Sequence, residues 1–244
     1  MTTIVTIPGI MSDARTWSTI ADALKCEGTT VHVADTSSDM TLEGMAARAL
    51  SEAHGELIVL AHSMGGRVAM EMGRQAPKRI RAMVLASTNA EGPDVHEAPQ
   101  REARIAEANA DMIAYARGWI PKVISAASMR NADLVSRIQE VVEDCPPEVH
   151  ERQNRALLVR PDATTYLGTF EFPVLLITGS EDRLSTAVAH DAIAGMLQDA
   201  ESVIIEDAGH LLPFEQPRRV FETIKEWLSR KALHRREYST RKIR

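Results

Sequence analysis

The segment around Ser63 limits the possible folds of this chain more than any other part of the sequence. An apolar run at residues 57–60 is followed by Ala-His-Ser-Met-Gly-Gly, and helical periodicity continues from Arg67. A serine between a strand and a helix that almost touch needs a small residue two positions before it and two positions after it. Ala61 and Gly65 meet this requirement. The sequence therefore predicts a strained turn that lifts the Ser63 hydroxyl off the top of a sheet.

Two candidate partners of Ser63 follow later strands. Asp182 comes after the apolar run at residues 174–177, and His210 comes after the run at residues 203–205. The chain order Ser, Asp, His differs from the orders in the two best-known serine protease folds. A short motif often matches by chance, so the residues around Ser63 are weak evidence when taken alone. The two partners in this chain order make the prediction of a serine turn stronger.

Short β-branched runs alternate with helical stretches along most of the chain. This alternation predicts an α/β fold with a mostly parallel sheet and helices on both faces. We expect six strands, at residues 4–7, 30–34, 57–61, 82–86, 174–178 and 202–206. Between residues 89 and 170 only helical segments follow one another, at 100–117, 119–127, 131–142 and 147–158. This stretch is too long and too patterned for a loop, so we expect a helical cap inserted into the core.

The chain resembles the α/β-hydrolase-fold superfamily, and within it the small bacterial esterases and lactonases. The likeness lies in Pro-Gly-Ile-Met-Ser-Asp-Ala-Arg-Thr-Trp at residues 8–17, in Ser-Met-Gly-Gly at 63–66, and in Arg-Gln-Asn-Arg and Arg-Pro-Asp within 152–162. It implies an α/β-hydrolase core of residues 1–88 and 171–229, a cap of residues 89–170, and a basic tail of residues 230–244. Pro8 replaces a histidine that most of the superfamily carries before the glycine of this loop.

The predicted chemistry is nucleophilic catalysis by Ser63. A serine hydroxyl needs a base within hydrogen-bond reach, and we expect His210 to be that base with Asp182 orienting it. Glu181 is the rival acid. We prefer Asp182 because it is the third residue after Gly179, where the resemblance places the acid.

Acyl transfer also needs donors for a developing oxyanion. The resemblance assigns one to the backbone N–H of Met64, and we assign the other to Ile10 in the loop after the first strand. Large side chains of the cap and the nearby loops are expected to form an apolar pocket wall that favours a compact apolar substrate. The pocket candidates are Met11, Tyr115, Trp119, Ile120, Met129 and Leu211.

Composition limits the class of protein, its cellular location and its partners. The 244 residues are 44% apolar and 25% charged, as in soluble globular proteins. Cys26 and Cys145 form no metal or redox pattern, and the first residues show no secretory signal, so we expect a cytoplasmic protein. The formal net charge is −6, although residues 230–244 carry seven basic residues against Glu237 alone. We expect this tail to be solvated, with no nucleic-acid or membrane partner, no metal and no cofactor; the oligomeric state stays open.

The leading interpretation is hydrolysis of a small carboxylic ester or lactone through an acyl-serine intermediate. A competing interpretation is hydrolytic cleavage of a C–C bond in a dienoic keto acid, the meta-cleavage product type. That chemistry favours cationic groups for the substrate carboxylate, and Arg67 and Arg130 are candidates, although we interpret both as surface or helix-stabilising residues. The same site could also belong to a slow-turnover ligand receptor, or could support cofactor-free perhydrolysis as a side reaction. The sequence does not identify the physiological substrate.

Overall fold

A six-stranded sheet organises the protein in this computed structural model, which describes residues 2–25 and 29–231. The strands are β1 (Thr2–Ile7), β2 (Thr29–Val33), β3 (Glu56–His62), β4 (Ile80–Ala86), β5 (Val174–Gly179) and β6 (Ala200–Ile205). They lie in the order β2-β1-β3-β4-β5-β6, and every adjacent pair is parallel. The predicted α/β fold with six mostly parallel strands is confirmed.

Helices connect the strands and cover both faces of the sheet. In chain order they are α1 (Ser18–Leu24), α2 (Leu42–Glu52), α3 (Met64–Gln75), α4 (Glu97–Ala110), α5 (Met112–Val123), α6 (Ala126–Met129), α7 (Ala132–Glu143), α8 (Pro147–Leu158), α9 (Ala187–Met196), α10 (Leu212–Glu215) and α11 (Pro217–Arg230). Helix α11 buries Val220, Ile224 and Trp227, a spacing that keeps one face of a helix on the sheet.

Alternate residues of the central strands belong to two separate cores. In β3, Leu57, Val59 and Ala61 pack in the core that α2, α3 and α9 cover. Ile58 and Leu60 pack in the core that α1 and α11 cover. Because both faces of the sheet are buried, the strand sequence is continuously apolar instead of alternating between apolar and polar residues.

The chain between β4 and β5 folds as the five helices α4–α8, which we call the insertion (residues 89–170). A third core joins the insertion to the loops of the sheet, with Ile120 and Ile138 on its helices and Met11 and Leu211 on the loops. The predicted helix at 100–117 is wrong in one respect. It is interrupted at Asp111, whose side chain accepts a hydrogen bond from the backbone N–H of the third residue of α5 and so caps a new helix. The domain boundaries given above stay predictions.

The remaining expectations concern membrane spans, the two cysteines and the basic tail. None of the helices within residues 2–25 and 29–231 combines the length and the apolar content needed to cross a membrane. Cys145 is a free thiol. Cys26 and residues 232–244 of the predicted tail lie outside the described residues.

Candidate active site

Ser63 occupies a strained turn between β3 and α3. Its backbone has φ 53° and ψ −118°, a positive φ that is rare for a residue with a side chain. The neighbouring backbone leaves no room on the helix side, because a Cβ on Gly65 would lie 2.5 Å from the carbonyl oxygen of Ile7. Only glycine fits at position 65, and the close packing of α3 on the end of β1 holds Ser63 in this conformation.

Ser63, His210 and Asp182 form a continuous chain of hydrogen bonds. The Ser63 Oγ lies 2.8 Å from His210 Nε2. On the other side of the ring, His210 Nδ1 lies 3.0 Å from Asp182 Oδ2 and 3.2 Å from Oδ1. Ser63, His210 and Asp182 follow β3, β6 and β5 respectively, and the carboxyl ends of parallel strands meet at one edge of the sheet. The parallel topology therefore brings the three side chains together.

The environment of Asp182 favours its charged form. The side chain is buried, and Oδ1 accepts hydrogen bonds from the backbone N–H groups of Leu184 and Ser185 at 2.9 Å each. Burial opposes ionisation, but the hydrogen bond and the charge of His210, together with the Ser185 N–H, hold the pKa of Asp182 down at about 2. The carboxylate is therefore ionised at neutral pH and fixes the orientation of the His210 ring.

Two other acidic side chains connect the insertion to the loops that carry Asp182 and His210. Glu181, the rival acid, accepts a hydrogen bond from the backbone N–H of Ala126 at 2.9 Å and makes no hydrogen bond to His210 among the described residues. The buried Glu215 accepts hydrogen bonds from the backbone N–H groups of Ser125, at 2.8 Å, and Gly209, at 3.0 Å. Sequence reasoning missed Glu215, and its only signal was an acid five residues after His210.

The two backbone groups predicted to face an oxyanion both belong to residues that line the cavity beside Ser63. These residues are Ile10 and Met64. Among the described residues, neither of their N–H groups has a hydrogen-bond partner. The next N–H in the same loop, that of Met11, is bound by the buried Gln153 side chain at 3.0 Å. Helix α8 therefore fixes the loop after β1 and leaves the neighbouring N–H unpaired.

His62, the residue before Ser63, supports the histidine loop. Its Nε2 lies 2.7 Å from the carbonyl oxygen of His210, so the ring donates its Nε2–H to that carbonyl. Burial, with a smaller effect of the nearby His210 ring, lowers the pKa of His62 to about 3 and keeps it neutral. Sequence reasoning missed this contact. No group of three or more His, Cys, Asp or Glu side chains within the described part of the chain is placed to hold a metal ion.

A cavity of about 230 Å³ opens beside Ser63. Five of the predicted site residues outside the hydrogen-bonded chain line it, namely Ile10, Met11, Met64, Tyr115 and Trp119. Tyr115 and Trp119 lie four residues apart on α5, so they share one face of that helix.

Three predicted pocket residues lie elsewhere. Ile120 and Leu211 are buried in the third core and are not among the cavity-lining residues. Ile120 follows Trp119 directly, so it points about 100° away around the helix. Met129, on the short helix α6, is 40% exposed and also lies outside the lining. The assignment of these three side chains to the pocket is therefore corrected.

The cavity wall is not uniformly apolar, because charged side chains stand beside the apolar ones. The charged side chains that line it are Arg67, Glu97, Arg101, Arg104 and Arg160. The interpretation of Arg67 as a surface residue is wrong, because only 7% of it is exposed. Arg130 is exposed, as expected. The apolar faces of α5 and α7 pack against each other in the third core, which leaves the polar side chains of α3 and α4 at the cavity.

The fold and the site together define a member of a large class of enzymes. The family model described as the alpha/beta hydrolase family matches residues 4–223. The chain therefore belongs to the alpha/beta hydrolase family, and the resemblance seen in the sequence is confirmed.

The individual proteins described next have low sequence identity to this chain. A Bacillus subtilis (strain 168) protein, provisionally assigned as a 2-succinyl-6-hydroxy-2,4-cyclohexadiene-1-carboxylate synthase, is 28% identical over 186 residues, which are 70% of this chain and 65% of that protein. This match spans less than two thirds of the relative. A thermophilic esterase from Thermogutta terrifontis, solved with malate bound, has a TM-score of 0.85 and 25% identity over 95% of this chain and 90% of its own. An enol-lactonase from Burkholderia xenovorans LB400 has a TM-score of 0.78 and 22% identity over 93% and 91%, and shows the fold alone.

Proposed function

We propose that the protein is a serine hydrolase that cleaves a small carboxylic ester or lactone through an acyl-enzyme on Ser63. The observation that carries this proposal is the hydrogen-bonded chain from Ser63 Oγ through the His210 ring to Asp182. A hydroxyl that donates to an imidazole, which in turn is oriented by an ionised carboxylate, is the arrangement that activates a serine nucleophile.

The reaction follows from these contacts. Ser63 Oγ attacks the substrate carbonyl carbon while His210 Nε2 accepts the hydroxyl proton, and Asp182 stabilises the imidazolium that forms. The backbone N–H groups of Ile10 and Met64 stabilise the oxyanion of the tetrahedral intermediate. His210 then gives its proton to the leaving alkoxide, and water hydrolyses the acyl-enzyme by the same steps. In a lactone the leaving group stays attached to the acyl chain.

A panel of p-nitrophenyl esters of increasing acyl length, tested beside simple lactones, measures this activity. We expect hydrolysis of short esters by the wild-type protein and loss of that activity in Ser63→Ala. The matched control is Ser18→Ala, which removes an exposed hydroxyl on α1 and should retain the wild-type rate. Equal hydrolysis by Ser63→Ala and wild type would contradict the proposal.

A second candidate is hydrolytic C–C cleavage of a dienoic keto acid. It is favoured by the position of Arg67 in the cavity wall, since such a substrate carries a carboxylate at the other end of the dienoate from the reacting ketone. Loss of the absorbance of a 2-hydroxy-6-oxodienoate separates it from ester hydrolysis. A slow-turnover receptor is the third possibility, and it predicts phosphonylation of Ser63 without turnover of either substrate class.

A further inference from the structure

The cavity beside Ser63 has the opposite charge to the rest of the protein. Four arginines and one glutamate are among its lining residues, whereas the whole chain has a formal net charge of −6. A concave site with an excess of one sign of charge attracts small ions of the other sign. The wall therefore favours an anionic ligand over a neutral one.

Two of these arginines are already held by protein groups. Glu97 pairs with Arg101 at 2.5 Å and with Arg160 at 2.8 Å. Arg101 also donates to Asn154 Oδ1 at 2.9 Å, and Arg160 donates to the carbonyl oxygen of Gly92 at 2.9 Å. These contacts fix both guanidinium groups, which then add positive potential to the cavity without needing a ligand.

Arg67 is different, because it is buried and no carboxylate is in contact with it. Only 7% of the residue is exposed, and its Nη1 donates a hydrogen bond to the carbonyl oxygen of Glu91 at 2.6 Å. No carboxylate of the described residues lies within 4 Å of its guanidinium nitrogens. Burial, and then the charge of Arg160, lower the pKa of Arg67 to about 10, so the group stays charged at neutral pH. The charges of Glu91 and Glu97 act on Arg67 only from a greater distance. A buried charge with no counter-ion in contact is costly to a fold, which points to a partner supplied from outside.

Arg67 also lies close to the reacting centre. It is the fourth residue of α3, and Ser63 directly precedes that helix. Four residues along the start of a helix correspond to a rise of about 6 Å. Both side chains line the same cavity. A ligand of a few carbon atoms can therefore reach Ser63 with one end and Arg67 with the other.

We propose that Arg67 determines specificity by binding a free carboxylate on the substrate, so that the protein acts on a small ester that is also an acid. This inference rests on the proposed function. The remaining guanidinium donors of Arg67 bind the carboxylate oxygens, while Arg101 and Arg160 hold the wall in place around Glu97. The carboxylate stands on the acyl part or on the alcohol part of the ester, and the two positions call for separate probes.

Three esters test the proposal because they differ in one group. Monoethyl succinate carries the carboxylate on the acyl part, (butanoyloxy)acetate carries it on the alcohol part, and ethyl butanoate has a methyl group in place of either carboxylate. The kcat/KM of each ester is measured by proton release at low ionic strength. We expect the wild-type protein to prefer one of the two acids over ethyl butanoate. Arg67→Met should reduce that preference about 10- to 100-fold, the range that corresponds to a lost charge-assisted hydrogen bond.

Arg130→Met is the matched control, since it removes an exposed arginine that does not line the cavity. It should retain the wild-type preference. Arg67→Lys keeps the charge without the planar fork and should give an intermediate preference. If Arg67→Met does not fold, Arg67→Lys tests the same contact. A wild-type preference for ethyl butanoate over both acids, or an equal preference in wild type and Arg67→Met, would overturn the proposal.

A binding measurement separates this proposal from the proposed hydrolysis. The Ser63→Ala protein is titrated calorimetrically with the two acids, with and without Arg67→Met. We expect one acid to bind to Ser63→Ala and to bind about 10- to 100-fold more weakly when Arg67 is also replaced. Binding that depends on Arg67 without any ester hydrolysis by wild type would refute the hydrolase function and keep the anion site. Hydrolysis of ethyl butanoate with no binding of either acid would refute the anion site and keep the hydrolase function.

Discussion

The cavity has two walls of different origin. One wall is built from the carboxyl ends of β3, β5 and β6, whose loops carry Ser63, Asp182 and His210. The other is built from the insertion, which brings Tyr115, Trp119 and several charged side chains. The sheet fixes the first wall through main-chain geometry, whereas the second depends on how separate helices pack on one another. We infer that the first wall carries the chemistry and that the second, together with Arg67 of α3, selects the substrate.

The two walls are nevertheless joined at the histidine loop. The backbone N–H of His210 donates to the carbonyl oxygen of Val123, the last residue of α5, at 2.7 Å. A Cβ on Gly209 would lie 2.5 Å from the same oxygen, so the insertion packs directly on this loop. Displacement of the insertion should therefore alter catalysis by moving His210, in addition to changing the pocket.

The largest expected effect is that of removing the base from the sheet wall. His210→Ala should reduce kcat for ester hydrolysis on the order of 10⁴- to 10⁶-fold, because Ser63 then has no proton acceptor. His190→Ala is a control that removes another buried histidine, which binds the backbone N–H of Thr88 and does not contact Ser63. Comparable losses in the two variants would show that the first wall does not hold the reacting groups.

The acid should have the next largest effect. Asp182→Asn should reduce kcat by up to about 10⁴-fold, since the His210 ring loses its charged partner and its tautomer is no longer fixed. Glu181→Gln should stay close to wild type, because Glu181 bonds to the N-terminus of α6 instead. A larger loss in Glu181→Gln than in Asp182→Asn would reverse the assignment of the acid.

The pH dependence of stability provides a second test of Asp182. Its pKa of about 2 in the folded protein is below the value of about 3.9 in an unfolded chain. A lowered pKa stabilises the folded state above the unfolded value, and this contribution is lost as the pH falls toward 2. The difference in thermal midpoint between wild type and Asp182→Asn should therefore be largest near neutral pH and shrink on acidification. A difference that grows toward pH 3 would contradict the lowered pKa.

A smaller effect is expected where the two walls meet. Glu215 accepts hydrogen bonds from Gly209, Ser125 and the hydroxyl of Ser128, and in Glu215→Gln an amide N–H would face these donors. We expect a loss of about 1–3 kcal/mol in unfolding free energy and a decrease in kcat of about 10- to 100-fold. Glu222→Gln, at an exposed position of α11, is the control. A stability loss with an unchanged kcat would mean that Glu215 supports the fold without positioning His210.

The smallest effect concerns the insertion alone. Trp119→Ala should shift the optimum of the p-nitrophenyl ester series toward longer acyl chains, because it enlarges the cavity, and should leave phosphonylation of Ser63 intact. Ile113→Ala, at an exposed position of the same helix, is the matched control. An unchanged chain-length profile in a stably folded Trp119→Ala protein would remove this side chain from the pocket.

The difference between the two walls also explains what the sequence could predict. Ser63, Asp182 and His210 each follow an apolar run, so strand order alone brings them together once the sheet is parallel. The burial of Arg67 was not predicted because its contact, the carbonyl oxygen of Glu91 in the loop after β4, is distant in sequence and leaves no local signal. The size of the side chains correctly selected Tyr115 and Trp119 for the pocket, although the sequence placed them on two separate helices, and it could not show that Ile120 faces the third core. The three-residue spacing of Arg101 and Arg104 on α4 was a usable signal for a basic face.

The most direct test of the account is covalent labelling of Ser63. A fluorophosphonate reacts with a serine hydroxyl that a neighbouring base activates, and it does so without any assumption about the natural substrate. Mass spectrometry of the intact protein should show one added phosphonyl group, and peptide mapping should place that group on Ser63. Ser63→Ala should remain unlabelled under the same conditions. Labelling of Ser63→Ala to the same extent as wild type, or no labelling of the folded wild-type protein, would contradict the claim that Ser63 is the nucleophile.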